Sequence, residues 1–108
     1  IPGSFAFDDQ TLNNLENPPL AKNIQVIKNY PNPFNPITNI SFELNHLEFT
    51  NLYIVNVKGQ IIESLIKNNL MEGPHNIKWN GSSAPSGIYF AILEHGQNKI
   101  VKKMSLIK

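Results

Sequence analysis

Gly87-Ile88-Tyr89-Phe90-Ala91-Ile92-Leu93-Glu94 is the stretch that decides the fold. Side chains on an extended chain alternate between two faces. Here Ile88, Phe90 and Ile92 fall on one face, and Tyr89, Ala91 and Leu93 on the other. β-Branched and aromatic residues favour strands, and the turn His95-Gly96-Gln97-Asn98 ends the run. Working outward, the same period of two recurs. Downstream, Lys99 to Ile107 sets Ile100, Met104 and Leu106 in one register, which Lys102 interrupts. Val101, Lys103, Ser105 and Ile107 take the other face. Upstream, His75 to Trp79 points Ile77 and Trp79 inward, and Thr38 to Leu44 does the same with Ile40, Phe42 and Leu44. Asn51 to Val57 is apolar on both faces, as a central strand requires. Ile61 to Ile66 is its hairpin partner across the turn Lys58-Gly59-Gln60, and Ile24 to Lys28 is a further short strand.

The segments between these runs break structure. Tyr30-Pro31-Asn32-Pro33-Phe34-Asn35-Pro36 holds three prolines, which remove three donors and exclude helix and central strand. Asn68 to Pro74 and Asn80 to Ser86 read as loops. Seven strands with turn signals roughly every ten residues, and no helical segment of note, specify an all-β sandwich or small barrel.

Composition removes several chemistries. The 108 residues include no cysteine, so there is no disulfide, thiol nucleophile or Cys-ligated metal. They include no arginine, and nine lysines against eight acids leave a net charge of +1, which argues against a nucleic-acid partner. No apolar run approaches the ~20 residues of a membrane span. Ile1 to Lys22 differs from the rest: three prolines, the acids Asp8, Asp9 and Glu16, and scattered Phe5, Phe7, Leu12 and Leu15. Residues 1–24 are therefore read as an extended arm or linker, and residues 25–108 as the sandwich. Starting at Ile1 without a visible signal peptide, the chain reads as the tail of a longer precursor or a processed product. Charge is polarised: residues 1–21 carry −3, while Lys99, Lys102, Lys103 and Lys108 put +4 on the last ten residues.

Catalytic patterns are absent from the sequence. His46, His75 and His95 sit at strand ends or turns without metal spacing, and read as surface residues. No GxSxG or phosphate-cradling glycine motif occurs, and the carboxylates are dispersed. The expectation is a non-enzymatic module with no cofactor and no small-molecule substrate.

The motif series is more telling. Tyr30-Pro31-Asn32-Pro33-Phe34-Asn35-Pro36 with the strand after it resembles the opening signature of C-terminal sorting domains of the type IX (Por) secretion system. The related Ig-like domain of the flagellar hook-capping family shares it. Leu52 to Gln60, Gly73 to Gly81, Ser86 to Phe90 and Lys102 to Lys108 resemble later family segments in the same order. The resemblance covers about residues 25–108. It implies an Ig-like, fibronectin-like antiparallel sandwich of seven strands on a secreted or cell-surface protein, delivered through the outer membrane. Its partner would be the translocon or anchoring machinery. Tyr30 to Pro36, Gly59, Trp79, Gly81, Gly87 and Tyr89 are expected to make the fold. Trp79 would plug the core with its indole N–H seeking a partner, and the three glycines would sit where side chains clash. The terminal strand, with Lys102, Lys103, Met104, Leu106 and Lys108, is expected to be recognised. Two other readings arise from the residues. Phe5, Phe7, Leu12 and Leu15 could join neighbouring copies into an extracellular assembly through the arm. Trp79, Tyr30, Tyr53 and Tyr89 could form a carbohydrate platform, provided Trp79 is exposed.

Overall fold

A computed structural model describes residues 24–108; residues 1–23, with Phe5, Phe7, Leu12 and Leu15, lie outside this range. Seven strands follow one another: β1 (Ile24–Tyr30), β2 (Ile37–Leu44), β3 (Glu48–Asn56), β4 (Ile61–Leu70), β5 (Gly73–Asn80), β6 (Gly87–His95) and β7 (Asn98–Leu106). They form a three-stranded sheet in the order β1-β2-β5 and a four-stranded sheet in the order β4-β3-β6-β7. Every pairing is antiparallel. The all-β sandwich expected from the period of two is present.

Each strand reaches its place by its alternation. β2 turns Ile40, Phe42 and Leu44 inward, and β3 turns Leu52 and Ile54. β6 contributes Tyr89, Ala91 and Leu93, and β7 contributes Met104 and Leu106. Phe34 and Trp79 complete the core between the sheets. β3 lies between β4 and β6, so both its edges are paired, while Tyr53 and Val55 fall on the outer face of the sheet.

The largest boundary differences from the sequence reading lie around β4. The loop expected over Asn68 to Pro74 shrinks to Met71 and Glu72. β3 begins at Glu48, so Asn68, Asn69 and Leu70 find partners in Thr50, Phe49 and Glu48. Cross-strand pairing overrides the poor strand propensity of asparagine. The glycines also need correcting. A Cβ at Gly59 or Gly87 would meet nothing within 4 Å. Gly59 is needed for its φ of +82°, which closes the β3–β4 turn. The Asn56 side chain caps that turn, accepting from the Lys58 and Gln60 amides at 2.9 and 3.0 Å. Of these three glycines only Gly81 is crowded: a Cβ there would lie 3.2 Å from Leu106 Cδ2 and 3.4 Å from Trp79 Cη2.

Candidate functional site

Motifs far apart in sequence meet at one end of the sandwich. Trp79 is only 2% exposed, and its ring lies 5.5 Å from Phe34 and 5.6 Å from Tyr89, centroid to centroid. Such tilted and edge-on pairs are favourable aromatic geometries. The indole N–H donates to Glu63 Oε1 at 2.9 Å, tying β5 of one sheet to β4 of the other. Gly81 fits beneath Leu106 and Trp79, and its amide donates to the Pro36 carbonyl at 2.8 Å. The Tyr89 hydroxyl donates to the Pro85 carbonyl. The opening signature, the Trp-containing segment, the β6 motif and the terminal strand are thus one cluster. Burial of Trp79 also removes it from the carbohydrate platform.

The proline-rich segment clasps the terminal strand. Thr38 Oγ1, itself buried, donates to the Pro31 carbonyl at 2.9 Å and fixes the start of the segment. The Asn32 side chain then imitates a backbone partner: its Oδ1 accepts from the Ser105 amide at 3.0 Å, and its Nδ2 donates to the Lys103 carbonyl at 3.4 Å. Phe34 continues with backbone bonds, donating to Ser105 O and accepting from the Ile107 amide, each at 2.9 Å. Phe34 and Leu106 form a parallel bridge. The free edge of β7 is covered here, which protects it against strand addition. Tyr30, Pro33 and Asn35 project into solvent.

The terminal residues divide by face. Met104 and Leu106 are 0% and 1% exposed and belong to the core. Lys102 is half-buried in the same register, whereas Lys103 points outward and is exposed. Lys108 is exposed, yet its Nζ donates to the Ser82 carbonyl at 2.7 Å and its amide to Ser86 Oγ at 3.1 Å. A groove of about 430 Å³ lies beside the cluster, between β4 and the 81–88 segment. Glu63 lines it but is already engaged by Trp79. Among the described residues no three His, Asp or Glu side chains are grouped to hold a metal.

His95 departs from the surface role expected of it. It is wholly buried, with Nδ1 2.8 Å from Thr50 Oγ1 and Nε2 without a hydrogen-bond partner. The register Tyr89, Ala91, Leu93, carried one step further, lands on His95, so the signal was in the sequence. Burial lowers its pKa first, and the nearby His46, with ring centroids 5.3 Å apart, lowers it further. Glu48 and the His46 backbone pull in the opposite direction, and His75 adds a weaker lowering. A lowered folded-state pKa means that the unfolded chain binds the proton first. Stability is therefore full above about pH 6.5 and is lost as pH falls below it, by at most about 1.4 kcal/mol per pH unit for one site. Urea midpoints at pH 7.5 and 5.5 should show this loss, and His95→Leu should reduce it.

Comparison with known proteins agrees with this arrangement. A search of curated proteins finds no match. Among solved structures, the chain is similar to PorZ, an essential bacterial surface component of the type-IX secretion system of human oral-microbiomic Porphyromonas gingivalis. The TM-score is 0.53 at 17% identity, over 76% of this chain and 11% of that one. At that identity the likeness speaks for the fold, and the chain spans only a small part of PorZ. The model of the family described as secretion system C-terminal sorting domain matches residues 28–108, a range that holds the clasp, the aromatic cluster and the terminal strand. On that match the chain belongs to the secretion system C-terminal sorting domain family.

Proposed function

We propose that this domain is a non-catalytic address, read as a folded module by the outer-membrane translocon of a type IX system. Its cargo would be exported or anchored at the cell surface. The observation that carries this reading is the family match over nearly all of the described sandwich, from residue 28 to 108. The recognised chemistry is assigned to the terminal strand. Of the four lysines that give the last ten residues their +4 charge, Lys103 and Lys108 are exposed and Lys102 is partly so. Met104 and Leu106 act indirectly, by anchoring the strand that carries those lysines. Among the described residues no helix is long and apolar enough to cross a membrane.

The test is charge reversal without loss of fold. A reporter fused to the chain is expressed in a host with this secretion system, with Lys102, Lys103 and Lys108 replaced together by Glu. Lys103 and Lys108 lie outside the core and Lys102 is half-buried, so a cooperative thermal transition should persist, with stability lowered by about 1–3 kcal/mol. Export should fall at least tenfold. Normal export of the folded triple variant would refute the role given to the lysines.

A further inference from the structure

The two outer faces of the sandwich are unlike. An antiparallel sheet usually shows a polar face to water. The three-stranded sheet obeys: Lys28, Asn39, Ser41, Glu43, Asn76 and Lys78 point outward in paired register. The four-stranded sheet does not. Its outward register on the two central strands holds Tyr53, Val55, Ile88, Phe90 and Ile92. The edges extend the same surface, with Ile61 of β4 opposite Val55 and Val101 of β7 opposite Ile92. Ile61 is 64% exposed and Val101 51%. No described element covers this face. Val55 itself is 7% exposed and Tyr53, Ile88, Phe90 and Ile92 are half-buried, so the face meets water most at Ile61 and Val101. A contiguous apolar surface left partly open in this way marks an interaction site.

Charge indicates what the face fits. At one margin the polar groups satisfy one another: Tyr53 Oη donates to Glu94 at 2.9 Å, and Lys99 lies 3.9 Å from the same carboxylate. Burial, followed by the Glu94 contact, raises the Tyr53 pKa and keeps the phenol a donor. At the other margin Lys103 stands opposite Phe90 in the register, and Lys99–Glu94 is the one ion pair among the described residues. Lys103 is thus a cation beside an apolar surface with no internal counter-charge. The route of approach is also restricted. The edge of β7 is occupied by Asn32 and Phe34 from Lys103 to Ile107, so a partner cannot add a strand there.

We infer that the partner docks flat against the outer face of the four-stranded sheet, as a protein surface that is apolar at its centre and carries a carboxylate opposite Lys103. This rests on the sorting reading and makes the partner the receptor of the signal. A second copy of the chain or a lipid surface are the competing occupants. The experiment uses the full chain fused to a reporter, with Val101→Glu and Ile61→Glu on this face. Ile37→Glu, an exposed isoleucine on the other sheet, is the control. Each variant is checked for a cooperative thermal transition, and the wild-type chain for sedimentation and for flotation with anionic vesicles.

The expected result is export reduced at least tenfold by both face variants and unchanged by Ile37→Glu, with a wild-type chain that is monomeric and does not float. Normal export of folded Val101→Glu and Ile61→Glu would overturn the docking face. If the Lys102/Lys103/Lys108 triple variant were still blocked in that case, the sorting reading would survive the failure of the face. A wild-type dimer that Val101→Glu dissociates, or vesicle binding that it abolishes, would also overturn the inference by assigning the face to another occupant.

Discussion

Deletion of residues 102–108 should unfold the domain as well as abolish export. The deletion removes Met104 and Leu106, two of the most completely buried side chains. Truncating a large buried apolar side chain costs about 2–5 kcal/mol. Two such losses rival the whole stability of a small domain, about 5–15 kcal/mol. The deletion also strips β6 of its pairing from Gly87 to Ala91, and leaves Asn32 and Phe34 without the strand they clasp. Circular dichroism should show no cooperative transition for the shortened chain, and its reporter fusion should not be exported. A shortened chain that melts cooperatively near the wild-type temperature would contradict the core assignment of Met104 and Leu106. Because fold and signal are lost together, only the charge-reversed variant separates them.

Trp79→Ala should be the most damaging single substitution. Large aromatic-to-alanine changes in a core cost about 3–5 kcal/mol. Here the loss includes the contacts with Phe34 and Tyr89 and the bond to Glu63. Trp79→Phe keeps one ring and removes the N–H donor together with part of the indole's buried volume, so its cost is an upper bound on that of the bond. Hydrogen bonds to charged groups contribute about 1.5–3 kcal/mol, and Glu63 is exposed, so about 1 kcal/mol is expected. Glu63→Gln keeps the acceptor oxygen and should cost less than Trp79→Phe. Urea unfolding midpoints rank the three variants; equal losses for Trp79→Ala and Trp79→Phe would show that the ring contacts contribute little.

Strand identity was legible because burial on one face imposes a period of two, visible in Thr38 to Leu44 and in Gly87 to Glu94. Partnering was not. Asn68 to Leu70 are strand because Glu48 to Thr50 lie opposite them, a fact set by topology rather than propensity. The terminal lysines form one charged group in the sequence, but alternation sends Lys102 and Lys103 to opposite faces. Asn32 belonged to the signature by resemblance, and its contact with Ser105 spans 73 positions, which no local pattern encodes. Gly59 and Gly81 are alike in sequence and differ in cause, one conformational and one steric. The apolar outer face is legible in Ile88, Phe90 and Ile92, which alternation places on one side of the strand; whether another element covers that side is set by topology.

The central claim is that this chain suffices as a secretion address. The direct measurement is to fuse all 108 residues to a passenger that carries its own inner-membrane signal peptide, in a host with a type IX system. The passenger is then quantified in the periplasm, at the cell surface and in the medium. The account predicts passenger at the surface or in the medium, and its retention in the periplasm when the translocon is deleted. A passenger that stays in the periplasm of the intact host, with the domain folded, would contradict it.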